Sequence, residues 1–248
     1  MLKEFRADLH IHTCLSPCGD LEMSPMGIVN EAVSKDIDLI AICDHNTTEN
    51  SIAVIDASKD KDVNVLPGIE VTTKEEVHII ALFESVVDAL KMQTLIYDNL
   101  DGENDEQAFG MQVVANAEDE VLGFNRKLLI GATSLSVEMV VDSIHSFNGL
   151  AIAAHIDRER FGIIGQLGFI PPNLRLDALE VSSRVKPEEV RMKFSEYHKF
   201  PFLCSSDAHY LNDIGKCTTT FLLREATFKE IRMALKGRKG NRRIKDEG

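Results

Sequence analysis

The sequence lacks the features that mark membrane proteins and secreted, disulfide-rich proteins. No apolar run reaches the roughly 18 residues that a membrane-spanning helix needs, and the start MLKEFRADLH lacks the apolar core of a signal peptide. The five cysteines are an odd number without a secretion signal, which predicts reduced thiols rather than a disulfide framework. Together these absences predict a cytoplasmic protein with no membrane partner.

Several catalytic signatures and an excess of positive charge are also missing. The sequence has no Gly-x-Ser-x-Gly elbow, no Walker loop and no dinucleotide-binding glycine fingerprint, which argues against esterase, kinase and dehydrogenase functions. Lysine and arginine number 27 against 40 acids, so the formal net charge is −13. We therefore expect no nucleic-acid duplex as partner, and an anionic substrate would need local metals or arginines.

The residues that are present predict an α/β fold. A length of 248 residues with 44% hydrophobic content suffices for a sizeable core. Eight short apolar runs are typical of strands: FRADLHI, DLIAICDH, VNVLPGIEV, VHIIALF, LAIAAHI, ALEVSS, FPFLCSSD and CTTTFLL. Helices are predicted near 25–35, 86–97, 105–116, 135–147, 187–198 and 227–236, the first with Ser24 as N-cap and Pro25 at the first helical position.

Strands that alternate with helices indicate a mainly parallel sheet, either open or closed into a barrel. The third and fourth runs have no helix between them, which predicts a departure from a regular eight-fold barrel. We expect one catalytic domain over 1–236, in which the acidic segment 99–131 forms a helical insertion or lid. The basic segment 237–248 is predicted to be a solvated tail, with an anion or nucleic-acid contact as the alternative.

Histidines and acids gather at the ends of the predicted strands, where α/β folds assemble their sites. Six of the eight histidines lie in or just after such a strand, accompanied by four acids: His10, His12, His45, His78, His155, His209, Asp20, Asp44, Glu70 and Asp207. His10 and His12 share one face of their strand. Ordinary partly buried histidines are the alternative, but this mixture suits two or three divalent ions, namely zinc, manganese or iron.

The order DLHIHT, CDHN, GIEV, AAHI and SSDAH resembles the polymerase and histidinol phosphatase (PHP) superfamily. The resemblance runs from Asp8 to His209. It implies a distorted, seven-stranded TIM-like (β/α) barrel with a trinuclear metal site at its C-terminal rim. It assigns His10, His12, Glu70 and Asp207 to one ion, Glu70, His78 and His155 to a second, and Asp20, His45 and His209 to a third.

Other residues near these motifs have supporting roles in this interpretation. Glu22 is the alternative to Asp20, because the family often places its early aspartate closer to the His-x-His pair. Asp44 is expected to orient a ligating imidazole and take part in catalysis, as outer acids commonly do. Asp8 is expected to be structural. Cys14 and Cys18 are predicted to be free thiols near the metals, with a thiolate ligand as the alternative.

Two arginines are predicted to complete the site. Arg158 and Arg184 follow predicted strands and could clamp a phosphate, because guanidinium matches phosphate geometry bidentately; surface salt bridges are the alternative. The expected function is hydrolysis of a small phosphomonoester, a metabolite or nucleotide, by a metal-bound hydroxide. Histidinol phosphatase and a non-catalytic metal-binding PHP module are the alternatives. The native metal and the oligomeric state do not follow from the sequence.

Overall fold

Eight strands form one curved sheet, and two more form a separate hairpin. The computed structural model describes residues 1–185 and 187–237. In that part of the chain the strands are β1 (Lys3–Ile11), β2 (Leu39–Ile42), β3 (Asn64–Thr72), β4 (His78–Leu82), β5 (Val113–Ala115), β6 (Val121–Phe124), β7 (Leu150–Ala153), β8 (Ala178–Val181), β9 (Phe202–Cys204) and β10 (Thr219–Leu223). Each of the eight predicted apolar runs overlaps a strand of the large sheet.

The strand order in the large sheet is β10-β1-β2-β3-β4-β7-β8-β9. Pairing is parallel from β1 to β3 and from β7 to β9, whereas β4 and β10 run antiparallel to their neighbours. After β9 the chain returns to β1, where Ile11 bridges Ala208 and the His12 N–H donates to the Ala208 carbonyl at 3.0 Å. The sheet therefore nearly closes, which confirms the distorted barrel, with eight strands in place of the implied seven.

One buried apolar cluster explains why the sheet curves. It contains side chains from all eight strands, such as Ala7 of β1, Ala41 of β2 and Phe221 of β10. The helix α8 (Phe228–Leu235) adds Phe228 and Ile231 to the same cluster. Eight strands can bury side chains against one another in this way only if the sheet wraps around them, because each strand presents alternate residues to one face.

The described residues contain eight α-helices. They are α1 (Pro25–Ser34), α2 (Ser51–Ala57), α3 (Val86–Asp98), α4 (Glu106–Phe109), α5 (Val137–Ser146), α6 (Ile163–Leu167), α7 (Pro187–Lys193) and α8. Ser24 caps α1 by accepting from the Gly27 N–H at 3.2 Å, as its position before Pro25 predicts. Five of the six predicted helices are present, although α7 ends at Lys193; the short helices α2 and α6 were not predicted.

The prediction of a helix over 105–116 is wrong. Only α4 is helical there, and β5 and β6 follow as an antiparallel hairpin. Gly110 has a φ of 100°, and a Cβ at this position would lie 2.5 Å from the Pro17 carbonyl oxygen, so the chain turns closely against the loop after β1. Val113 and Val114 then favour a strand because their branched side chains suit extended backbone.

The prediction that all five cysteines are reduced is also wrong. Cys204 and Cys217 form a disulfide, whereas Cys14, Cys18 and Cys43 are free. The end of β9 and the loop before β10 bring the two Cα atoms to 5.7 Å, a distance that suits a disulfide and that sequence spacing did not reveal.

Two further predictions concern the membrane and the tail. Within residues 1–185 and 187–237, no helix is long and apolar enough to cross a membrane. The predicted basic tail begins at Gly237, and its remainder, 238–248, lies outside the described residues.

Candidate metal centre

The predicted ligands meet at one rim of the barrel because of the direction of their strands. His10, His45, Glu70, His155 and Asp207 lie at or beyond the C-terminal ends of β1, β2, β3, β7 and β9, which all run the same way. Strand β4 runs in the opposite direction, so its first residue, His78, lies at the same rim. Strand β4, whose antiparallel direction departs from a regular barrel, thus contributes His78 to the site.

Donor atoms of the four residues in the first predicted group converge with nearly equal spacing. His12 Nε2 lies 3.2 Å from His10 Nε2 and 3.2 Å from Asp207 Oδ1. Glu70 Oε1 lies 3.4 Å from His10 Nε2, and Glu70 Oε2 lies 3.4 Å from His12 Nε2. Tetrahedral coordination with bonds of about 2.0–2.1 Å would separate its donor atoms by about 3.3–3.4 Å. The group therefore has the dimensions of a tetrahedral metal site.

Glu70 also faces the remaining histidines. Its Oε1 lies 2.8 Å from His78 Nδ1 and 3.2 Å from His155 Nε2, and its Oε2 lies 3.0 Å from His45 Nδ1. His45, Glu70 and His78 form a second group of converging donors. Glu70 Oε2 and His45 Nδ1 are buried, and although they lie 3.0 Å apart neither makes a hydrogen bond. Buried polar atoms are normally satisfied, so these atoms fit a bound cation.

A third group contains His12, His45 and His209, but not the predicted Asp20. The Asp20 carboxylate instead accepts from the Glu22 N–H at 2.8 Å, and Glu22 itself is exposed. The structure therefore brings neither candidate acid into this group. The reason is the course of the loop: the Asp20 backbone N–H donates to the His209 carbonyl, which leaves its side chain pointing along the loop.

Cys18, which is exposed, lies beside this group. Its thiol interacts with His45 and His209 through side-chain hydrogen bonds. Loss of solvation raises its pKa, but the His45 charge and these hydrogen bonds outweigh that effect and lower the pKa to about 5. Cys14 differs, because burial and the nearby Asp44 raise the pKa of its thiol to about 12. A thiolate at Cys18 would be a soft metal ligand for this group.

The acids of the site are held in the ionised form that a cation requires. Burial opposes ionisation of Glu70, but His78, His10 and His45 lower its pKa well below the ordinary value. The pKa of Asp207 is likewise lowered, against burial, chiefly by His10 and His12.

The histidines differ in the charge that they favour. Burial lowers the pKa of His78 to about 4, so this imidazole is neutral near pH 7. Burial also opposes the charge of His10, but Glu180 and Glu70 raise the His10 pKa well above its usual range. Binding of a cation in place of the proton would therefore release a proton from His10.

A second layer of buried groups orients the imidazoles. Glu180 faces His10 Nδ1 at 3.1 and 3.2 Å and accepts from the His155 backbone N–H at 3.2 Å. Ser16 Oγ lies 2.9 Å from His12 Nδ1 and donates to Asp44 Oδ1 at 2.7 Å. Such outer contacts fix ring orientation in metal sites. Sequence reasoning missed Glu180 and Ser16; the signal for Glu180 was a single carboxylate within the apolar run ALEVSS.

Asp44 and Asp8 accept hydrogen bonds from groups beside the proposed ligands rather than from the ligand atoms themselves. Asp44 accepts from the Thr13 N–H at 2.7 Å and from the Thr13 hydroxyl at 2.8 Å, so it reaches His12 only through Ser16. Asp8 accepts from the N–H groups of Ser206 and Gly215 at 2.9 and 2.8 Å, and it thereby holds the loop that carries Asp207.

The two predicted arginines differ in position. Arg158 Nη1 lies 2.6 Å from Asp207 Oδ2, and its side chain is 31% exposed at the rim. Arg158 Nε is buried without a partner. Arg184 is exposed, and its described contact is the backbone N–H that donates to Ser182 Oγ at 3.3 Å. The structure thus brings Arg158, but not Arg184, to the cluster.

Comparison with known sequences gives partial matches. A family model described as PHP-associated matches residues 191–239. An uncharacterized protein of Methanocaldococcus jannaschii is 37% identical over 86 residues, which cover 32% of this chain and 50% of the relative. A 5′-3′ exoribonuclease of Haemophilus influenzae is 24% identical over 188 residues, which cover 60% of this chain and 68% of the relative.

Solved structures share the fold. The lesion-specific endonuclease Q of Pyrococcus furiosus superposes with a TM-score of 0.76 at 21% identity, covering 98% of this chain and 58% of that chain. A Bifidobacterium adolescentis protein described as a metal-dependent phosphoesterase superposes with a TM-score of 0.58 at 19% identity, covering 82% of this chain and 87% of that chain. The chain thus spans little more than half of the endonuclease and half of the archaeal relative. The family-model match over 191–239 and the shared fold agree with the resemblance to PHP proteins that the ordered motifs predict.

Proposed function

We propose that the chain is a metal-dependent phosphoesterase. The observation that carries this proposal is the convergence of His10, His12, Glu70 and Asp207 at spacings that fit tetrahedral coordination. Metal ions held by such mixed histidine and carboxylate clusters can supply the hydroxide and the charge neutralisation that hydrolysis of phosphate esters needs.

The ligand set that we propose keeps the three predicted ions and changes one ligand of the third. One ion takes His10, His12, Glu70 and Asp207, a second takes Glu70, His78 and His155, and a third takes His45, His209 and Cys18 in place of Asp20. Bound divalent ions supply a nucleophile from water near neutral pH and neutralise phosphate oxygens. Zinc, manganese and iron all fit imidazole and carboxylate, and a thiolate at Cys18 favours zinc or iron.

The chain's own residues bind and orient the substrate. Arg158 lies at the mouth of the cluster, where its guanidinium can bind a phosphate oxygen while its partner Asp207 holds a cation. Glu180 and Ser16 keep the imidazoles of His10 and His12 in position. The Arg158 side chain is thus the group that we expect to distinguish phosphate from neutral esters.

The substrate that we propose first is a small phosphomonoester, a metabolite or a nucleotide. Histidinol phosphate is one such ester, but none of the described contacts singles it out. A second candidate is a phosphodiester in nucleic acid, which is supported by the similarity to endonuclease Q, whose structure with a 27-mer duplex containing an abasic lesion also superposes on 98% of this chain. The net charge of −13 favours the small ester over a duplex.

The test is hydrolysis by protein loaded separately with zinc, manganese or iron, against a panel of phosphomonoesters, phosphodiesters and oligonucleotides. Glu70→Gln should abolish hydrolysis and lower the metal content, whereas Glu225→Gln, a change at an exposed position, should alter neither. Protein that holds two or more ions but hydrolyses no ester would overturn the proposal and favour a non-catalytic metal-binding module.

A further inference from the structure

An aromatic ring lies against one of the proposed ligands at the mouth of the site. The Phe161 ring stacks on the His78 imidazole with centroids 4.4 Å apart and planes 16° apart. Phe161 is nonetheless 36% exposed. His78 contacts the central Glu70 at 2.8 Å, so the aromatic ring borders the proposed metal cluster directly.

The backbone holds Phe161 in an unfavourable conformation. Its φ is 62°, a region that bulky residues rarely adopt. The His78 N–H donates to the Phe161 carbonyl at 2.8 Å, which ties this segment to the start of β4. Gly162 follows in a tight turn, where a Cβ would lie 2.4 Å from the Arg158 carbonyl oxygen. Strain of this kind persists where the surrounding structure enforces it, and it is often found at functional sites.

The same turn carries the phosphate-binding candidate. Arg158 and Phe161 are three residues apart, and the Arg158 N–H donates to the His155 carbonyl at 2.9 Å, which anchors the turn to a proposed ligand. The turn thus places the Arg158 guanidinium, which can bind a phosphate, near the flat apolar ring of Phe161. A nucleotide offers the complementary pair, namely a phosphate and a flat base.

We propose that Phe161 is a stacking platform for the base of a nucleotide or of an unpaired nucleic-acid strand, and that it selects such substrates over other phosphate esters. The inference rests on the proposed phosphoesterase function and names its substrate class. Stacking of a base on an aromatic ring is worth about 1–3 kcal/mol and comes from the π-face of the base, so it adds to the contact that Arg158 can make with the phosphate.

The test compares esters that differ only in the base. One pair is adenosine 5′-monophosphate and ribose 5-phosphate; the other is the p-nitrophenyl phosphate diester of thymidine at its 5′ position and the same diester of 1,2-dideoxyribose, which covers diesters. We expect kcat/KM to favour the base-bearing ester by about five- to 150-fold in at least one pair. Phe161→Ala should reduce that ratio to near one, mainly through KM, while Phe161→Tyr should keep it.

Two controls separate stacking from structural effects. Phe161→Leu keeps an apolar cover over His78 but removes the ring, so it should lose the preference while retaining the metal content. Phe169→Ala removes an exposed ring beyond α6 and should leave the ratio unchanged. Equal hydrolysis of both members of each pair by the unaltered protein, or an unchanged ratio in Phe161→Leu, overturns the inference but leaves the phosphoesterase proposal standing. Absence of hydrolysis of all four esters and of the oligonucleotides overturns both.

Discussion

Replacement of Glu180 tests whether the second layer of the site sets metal affinity. Glu180 is 2% exposed and faces His10 Nδ1, while its Oε1 also accepts from the His155 N–H at 3.2 Å. Loss of a carboxylate that orients a ligating histidine lowers metal affinity about 10- to 100-fold, which corresponds to about 1.4–2.8 kcal/mol. We expect this loss in Glu180→Gln, because glutamine keeps the shape but removes the charge.

Glu180→Ala should have a larger and different effect. It leaves the His10 Nδ1–H and the His155 N–H buried without an acceptor, at about 1–3 kcal/mol each, so folding stability should fall by about 2–6 kcal/mol. Metal affinity is measured by chelator competition and stability by urea denaturation. Glu225→Gln is the matched exposed control. An affinity of Glu180→Gln equal to that of the unaltered protein would refute the assigned role.

Three further results follow from the described contacts. Iodoacetamide should alkylate Cys18 of the metal-free protein at a rate that is nearly constant from about pH 6 to 8, since its pKa of about 5 keeps it ionised above that value. Cys14, with a pKa of about 12, should react slowly; a Cys18 rate that rises tenfold per pH unit would contradict this. Asp44→Ala should lower the free energy of unfolding by about 3–5 kcal/mol in urea, because it leaves buried donors unpaired; a change below about 1 kcal/mol would contradict it. Reduction of the Cys204–Cys217 disulfide, which closes a short loop, should lower the free energy of unfolding by about 3 kcal/mol. An unchanged midpoint of urea denaturation would contradict this expectation.

The fold was predictable where local pattern and tertiary structure agree. Continuous apolar runs marked all eight strands of the sheet, because strands buried on both faces contain few polar residues. The segment near 105–116 failed because its composition suits a helix, whereas close contact of Gly110 with Pro17 and pairing of β5 with β6 determine its conformation. Contacts of this kind link residues far apart in sequence, which periodicity cannot report.

The candidate site divides in the same way. The strand-end histidines, Glu70 and Asp207 could be predicted because strand direction brings them to one rim. The position of Asp20 outside the third group could not be predicted. The path of the loop after β1 directs the Asp20 carboxylate to the Glu22 N–H and brings Cys18 toward His209. A loop's path depends on hydrogen bonds that the sequence does not display.

We expect the insertion, residues 99–131, to be held against the barrel beside the site rather than to act as a hinged lid. The buried Asn50 donates to the Val113 carbonyl at 3.0 Å and accepts from the Ala115 N–H at 3.1 Å. The buried Asn46, next to a proposed ligand, donates to the carbonyls of Leu129 and Gly131 at 2.8 Å. Lifting the insertion away would exchange these four bonds for bonds to water, at a net cost of about 0.5–1.5 kcal/mol each, in addition to the apolar contacts of Val113 and Ala115 with Cys14. We therefore expect the insertion to stay in place and its shape to restrict the substrate.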